Sequence, residues 1–430
     1  MALAERFKGF TVASALTARA TSDPSGEYLR FRDQVHSYGR VNSDAEALAA
    51  SLANLGIEAG DRIALLLPPC PEFATALFAA AKLGATVVPL NPRLTTPELQ
   101  YMLRHSEAVC AISIEDADGV DYLQLFEELM PQLPALQYLI TVGEEDLWYD
   151  DRIFQFEDLL SAGAGRDYSA PEVNASRDCF AIVYTSGTMG KPKGVELSHG
   201  NLVSVAAATA DVLQLEAQDR IVGVTALFHV FGLGPGLLGT LMAGASLVLQ
   251  DAADAAATLD AVVAHKATVH YGIPTLFVAE MSILEMRTRD LSSLRLAVVA
   301  GAPVSDELMG RIEEVMGVTA VSAYSLTETS STVAAASPTH SAETRRFTVG
   351  RPLPGTEVRL TEADGGELPV ESVGEIGVRG PGVMLGYYRQ PGETAAAFDS
   401  DGYFLTGDLG IKDEEGFLHL VGRRKDVIIR

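Results

Sequence analysis

The stretch Tyr184-Thr-Ser-Gly-Thr-Met-Gly-Lys-Pro-Lys-Gly194 gathers hydroxyls, glycines and lysines in a form suited to a polyphosphate. Gly187 and Gly190 allow close approach of the backbone to an anion, and successive N–H groups can form a concave nest. Thr185, Ser186 and Thr188 add hydroxyl donors, and Lys191 and Lys193 add positive charge. An apolar run, Phe180-Ala-Ile-Val183, feeds into the stretch and reads as a buried strand. The spacing is not that of a Walker A loop, which needs four residues between its glycines and then Gly-Lys-Ser/Thr. Pro192 directly after Lys191 also stops a helix from running on through the lysine. A solvated Gly/Ser/Thr turn is the plainer alternative, and the order of the whole stretch argues against it.

Further along, Tyr324-Ser-Leu-Thr-Glu328 follows a predicted strand, at the carboxyl edge where open α/β sheets bind ligands. Glu328 offers a hard oxygen for Mg²⁺ shared with substrate phosphates, and Tyr324 offers a face for a base. Alone, Glu328 equally suits a solvated loop. In Leu405-Thr-Gly-Asp408 the carboxylate can accept from two adjacent ribose hydroxyls, although such a short motif is weak by itself. Gly301-Ala302-Pro303 follows the strand-like Leu296–Ala300 and reads locally as a strand-to-helix turn. Phe228-His229-Val-Phe231-Gly232 puts a histidine in an uncharged stretch, where a lone imidazole is more often a satisfied core residue than a catalyst. The chain has no Gly-x-Ser-x-Gly elbow and no cluster with zinc spacing.

Taken together these stretches resemble the adenylate-forming superfamily: acyl-CoA synthetases, aryl-CoA ligases, luciferases and peptide-synthetase adenylation domains. The 184–194 stretch is similar to its phosphate-binding signature, with Met189 where Thr or Ser is usual. The 324–328 stretch resembles its Tyr-Gly-x-Thr-Glu motif, with Ser325 in place of Gly. The resemblance implies that Glu328 coordinates magnesium, Thr327 contacts phosphate and Tyr324 flanks adenine. It implies that the main chain of Gly301, Ala302 and Pro303 lies against the base, that Asp408 holds the ribose, and that Arg423 contacts the ribose and phosphate region. Lys425 matches the hinge about which a small C-terminal domain swings. His229 matches the Phe-His-x-x-Gly element between acyl pocket and nucleotide, so it is expected to position the acid. Phe231, Gly232, Gly234, Tyr271 and Gly272 are expected to line that pocket, the glycines leaving room for an acyl chain.

The elements that position these residues read as an α/β protein. Ser43-Asp-Ala-Glu46 reads as a capping box opening a helix that ends at Gly56. Short apolar strands follow at Arg62–Leu67, Thr86–Leu90 and Val109–Ile114, with a helix between Pro71 and Gly84 and another from Thr96 to His105. Residues 161–178 read as a loop. Strands are predicted at 220–226, 245–250, 267–272, 295–300 and 318–324, with helices between, which indicates parallel sheets covered on both faces. From about Thr348 the Gly- and Pro-rich pattern suggests an antiparallel or barrel-like unit. The resemblance implies a large AMP-binding domain over 1–422. It comprises two doubly wound, interleaved α/β subdomains at about 1–178 and 179–345 and a small β-barrel subdomain over 346–422. Residues 423–430 would be a hinge stub. The chain stops in an apolar run at Arg430, so the C-terminal domain with the family's catalytic lysine is expected to be absent and activity impaired.

The net charge of −25 opposes nucleic acid or an anionic membrane as a general partner, so an anionic substrate must be met by local cations or a metal. Cys70, Cys110 and Cys179 form no disulfide or zinc pattern, which fits a reducing cytoplasm. The uncharged stretch Ile221–Gln250 is long enough to span a bilayer, but its six glycines and Pro235 read instead as strand, loop, short helix and strand. The N-terminus, with Glu5, Arg6 and Lys8, does not read as a signal peptide. The implied reaction joins a fatty or other apolar acid to ATP as acyl-AMP and passes it to coenzyme A. A homodimer is allowed for. Rivals are an aryl-CoA ligase, an acyl-carrier-protein ligase or adenylation domain and, from another class, a non-catalytic AMP- or ATP-binding module.

Overall fold

The computed structural model describes residues 1–117, 119–143, 151–185, 191–250, 254–362, 366 and 368–424. Ser186, Gly187, Thr188, Gly190 and Lys425, named above, lie outside the described residues, as does Met189.

Three large sheets carry the chain, beside one small two-stranded pair. The first, of eight strands, has a parallel centre formed by Thr86–Pro89, Arg62–Leu66, Cys110–Ile114 and Tyr138–Val142. Cys179–Thr185 joins its edge in parallel, Lys193–Ser198 turns back antiparallel, and Gly386–Tyr387 closes that side. The second sheet has nine strands, with Ser246–Leu249, Arg220–Val222, Val269–Gly272, Leu296–Val299 and Thr319–Leu326 running parallel. The N-terminal strand Glu27–Phe31 crosses to this sheet and pairs with Ser246–Leu249, while residues 179–198 belong to the first. The two sheets therefore exchange chain segments. The third sheet is antiparallel: Glu357–Thr361, Gly374–Arg379, Phe404–Lys412 and Leu418–Arg423.

Burial explains these choices. Leu296–Val299 and Thr86–Pro89 are buried at every residue, as strands covered on both faces must be. Glu357–Thr361 instead alternates, with Val358 and Leu360 inward and Glu357 exposed. Helix Pro71–Leu83 is buried all round except at Glu72, and Gly84 ends it in the left-handed conformation. Each of its fully buried large side chains, such as Phe73 and Phe78, contributes roughly 2–3 kcal/mol of transfer free energy.

Three sequence expectations need correction. The helix predicted to start at Ser43 spans Tyr38–Asn54 and is capped by Ser37, whose hydroxyl accepts from Arg40 N at 3.2 Å. Ser43 and Glu46 lie inside it. The extra turn forms because Tyr38 stacks on Tyr28 in the core, with centroids 4.8 Å apart, so tertiary burial outweighs the local capping signal. The loop expected from 161 begins after helix Phe156–Gly163. The strand predicted over 220–226 stops at Val222, because Gly223 takes φ +82°. The uncharged stretch forms strand, the π-helical segment Gly232–Leu238, the short helix Gly239–Ala243 and strand Ser246–Leu249. Among the described residues no helix is long and apolar enough to cross a membrane.

Candidate active site

The described flanks of the signature stretch are two paired strands of the first sheet. Tyr184 pairs with Gly194 and Thr185 with Lys193, so the ladder fixes both flanks of the signature stretch. Helix Thr96–Ser106 buttresses the flanks from behind. Its Tyr101 hydroxyl donates to the Pro192 carbonyl at 3.3 Å, and Lys191 Nζ stands 5.1 Å from the Tyr101 ring centroid. His105 Nδ1 lies 2.8 Å from the Tyr184 hydroxyl, and its ring meets Tyr388 edge-on. Burial, then Arg389, lowers the His105 pKa, and burial raises that of Tyr184, so both are held neutral. Lys193 is differently engaged: its Nζ lies 2.5 Å from Glu393 Oε2 and 4.7 Å from the Tyr387 ring centroid.

The second group sits where strand Thr319–Leu326 of the second sheet ends. Thr327 and Glu328 form a single 3-10 turn, with Thr327 buried. Glu328 Oε1 accepts from the Tyr387 hydroxyl at 2.9 Å, and the Glu328 carbonyl accepts from Met384 N at 2.9 Å. Burial, then the Glu328 charge, raises the Tyr387 pKa, which keeps that hydroxyl a donor. Tyr324 is 6 % exposed, and its hydroxyl donates to Asp408 Oδ2 at 2.7 Å. The ring is thus enclosed rather than open-faced. Asp408 and Arg423 are directly opposite across the third sheet, with Arg423 Nε 3.0 Å from Asp408 Oδ1. One hydrogen bond and one ion pair therefore link Tyr324, Asp408 and Arg423.

The third group is an apolar cavity of about 180 Å³ at the carboxyl ends of strands Arg220–Val222, Val269–Gly272 and Leu296–Val299. His229, Phe231, Gly232, Gly272 and Gly301 all line it. The Phe231 N–H donates to His229 Nδ1 at 3.3 Å, which leaves Nε2 carrying the proton. His229 keeps one side exposed to solvent, and the apolar walls on its other side lower its pKa by desolvation, so the ring is neutral at pH 7. Gly301, at φ +86°, opens the exposed turn Gly301-Ala302-Pro303. Two expected lining residues fall outside the cavity. Tyr271 is fully buried behind it, edge-on to Phe231 at 5.4 Å. Gly234 lies in the π-helical segment, where a Cβ would stand 3.3 Å from the Ser330 carbonyl, so it serves close packing.

Several residues at the site were not singled out from sequence: Tyr387, Tyr101, His105, Glu393 and Leu276. The glycine-spaced Gly380-Pro-Gly382 and Gly386-Tyr-Tyr388 was the one available signal, a turn-rich segment ending in paired aromatics. The others act through long-range contacts that no local pattern encodes. Among the described residues no group of three or more His, Cys, Asp or Glu could hold a metal.

Comparison with known proteins gives a consistent picture. The AMP-binding enzyme family matches residues 16–388. A long-chain-fatty-acid–CoA ligase of Bacillus subtilis is 31% identical over 97% of this chain and 78% of its own length. A feruloyl-CoA synthase of Amycolatopsis is 33% identical over 96% of this chain and 78% of its own. The crystal structure of the anthranilate CoA ligase AuaEII with anthranoyl-AMP superposes with TM-score 0.91 at 26% identity, covering 100% of this chain and 81% of that one.

Proposed function

This chain belongs to the AMP-binding enzyme family, and from that premise we propose how its residues divide the work of an ATP-dependent, AMP-forming acid–thiol ligase. A carboxylate oxygen attacks the α-phosphorus of ATP, the α–β phosphoanhydride bond breaks and pyrophosphate leaves. The coenzyme A sulfur then attacks the acyl carbon, AMP leaves and the thiol proton passes to solvent. The observation that carries the residue assignment is the dual position of Gly301, which lines the apolar cavity and begins the Gly301-Ala302-Pro303 turn. An acid in the cavity and a nucleotide on the turn would meet there.

The difficulty of the first step is that an anion approaches a polyanion. Lys191 and the N–H groups of the signature stretch offset that charge, and Thr327 adds a donor. Lys193 can join them by giving up Glu393. Asp408 takes the ribose hydroxyls while Tyr324 and Arg423 hold its carboxylate in place. Neutral His229 donates from Nε2 to the acid and orients it.

Glu328 fits a magnesium ion. Oε1 is held by Tyr387, while Oε2 has no hydrogen-bond partner among the described residues, and Mg²⁺ commonly takes one or two carboxylates, waters and substrate phosphates. When bound, the ion would supply charge neutralisation at the phosphates. Glu328→Ala should weaken the magnesium dependence of ATP binding in calorimetric titrations; an unchanged metal response would mean that another group holds the ion. A cytoplasmic setting is supported by three cysteines that are all free. A homodimer, and the division into lobes at 178 and 345 with a β subdomain beyond, belong to the same proposal. Sedimentation velocity tests the former and limited proteolysis the latter.

The acid is apolar, since the cavity lining contains no Lys, Arg, Asp or Glu. A second reading, an aryl acid, is favoured by size. A cavity of about 150 Å³ binds benzene, and this one is about 180 Å³. A panel of fatty and aryl acids, followed by pyrophosphate release with coenzyme A or carrier thiols as acceptor, tests both. Nucleotide binding with no acid-dependent pyrophosphate would leave a non-catalytic nucleotide-binding module.

A further inference from the structure

The cavity rests on an unusual wall. Two of its lining residues, Gly223 and Gly272, direct their missing side chains onto one buried ring pair. A Cβ on Gly223 would stand 2.7 Å from His270 Nδ1, and one on Gly272 would stand 2.7 Å from the Phe277 ring. His270 and Phe277 lie against each other with centroids 4.6 Å apart. His270 is in turn gripped at both nitrogens. Nδ1 lies 2.9 Å from the Tyr271 carbonyl, and Nε2 lies 2.8 and 2.9 Å from the two oxygens of Glu280. The carbonyl can only accept, so Nδ1 carries a proton, and one further proton joins Nε2 to the carboxylate. Both side chains are fully buried.

Packing alone does not account for this. A buried hydrogen-bonded pair is a costly way to fill volume, and apolar groups of the same size are often as stable or more so. What the pair provides is a fixed ring plane, directly behind the glycine backbone. Glu280 belongs to helix Pro274–Met286, and Ile273 and Leu276 at the start of that helix line the same cavity. The pair thus ties the helix to strand Val269–Gly272 across the cavity's inner side.

Resting on the ligase reading above, we propose that His270 and Glu280 are positioning residues which, through Phe277 and the backbone of Gly223 and Gly272, hold the sheet-side wall of the acyl cavity and set the largest acid accepted. The upper limit is a single aromatic ring or an aliphatic chain of similar bulk.

The test uses N-acyl sulfamoyl adenosines from acetyl to dodecanoyl, plus benzoyl, titrated into the whole chain by calorimetry with AMP as reference. In the parent chain affinity should rise about fourfold per added methylene until the cavity is full and then fall. His270→Ala, and independently Phe277→Leu, should move that optimum by at least one methylene toward longer chains with AMP affinity unchanged. Glu280→Gln, which keeps an acceptor facing Nε2, should leave it in place. A general loss of stability would lower every affinity without moving the optimum. If His270→Ala fails to fold, Phe277→Leu decides. An optimum that stays where it was in the folded variants overturns this inference and leaves the ligase reading intact. A flat series in the parent chain overturns both.

Discussion

The two halves of the proposed site share Gly301 and are built on opposite principles. The nucleotide half is made of side chains: Lys191 beside Tyr101, Glu328 under Tyr387, and Asp408 held between Tyr324 and Arg423. The acyl half is made largely of their absence, with Gly223, Gly232, Gly272 and Gly301 in its walls. Recognition of a charged group needs particular donors at particular points. Recognition of an apolar group needs only shaped volume, which small residues leave open. The first half should therefore fail when an atom is taken away, and the second when one is added.

Lys191→Ala is the most severe subtraction. Loss of one preorganised cationic donor should raise the barrier by about 3–4 kcal/mol, read as a several-hundredfold fall in acid-dependent pyrophosphate release. A fall below tenfold would move Lys191 out of the chemistry. The matching addition is Gly223→Ala. Its Cβ would stand 1.9 Å from the Tyr271 carbonyl, at a φ of +82°. We expect a loss of about 2–3 kcal/mol in urea unfolding. Asp408→Ala follows at about 2 kcal/mol, a thirtyfold weaker AMP affinity, because a charge-assisted contact is lost. If AMP titrates unchanged, the ribose is held elsewhere and the comparison loses its nucleotide side.

The smallest effect concerns pH and the strand leading into the signature stretch. His199 is fully buried against Phe180, and desolvation pushes its pKa down to about 4. The folded chain therefore binds fewer protons here than the unfolded chain between about pH 6.5 and pH 4. Its contribution is complete above pH 6.5 and is lost progressively as pH falls through that window. Going from pH 7 to pH 5.5 should cost about 1 kcal/mol through this group, measured as the difference between parent and His199→Gln in unfolding midpoints. Equal pH slopes in the two proteins would show that His199 titrates alike in the folded and unfolded chains.

The same contrast governs what could be read before any coordinates. The strand–helix alternation was legible because parallel strands buried on both faces appear as unbroken apolar runs, as in Leu296–Val299. The candidate nucleotide residues were legible only as a set, because each motif alone also suits a solvated turn or loop. The helix start at Ser37 was not, because the burial of Tyr38 against Tyr28 decided it.

From its residues alone, the chain determined the α/β class and which charged side chains are candidates for the site, since local pattern and side-chain chemistry are properties of short segments. Only the tertiary structure decided which strands share a sheet, that Asp408 faces Arg423 and Tyr324, that Tyr271 and Gly234 stand outside the cavity, and that His270 and Glu280 lie behind it. Those are contacts between distant segments and the space left between them, and no short stretch of sequence contains either.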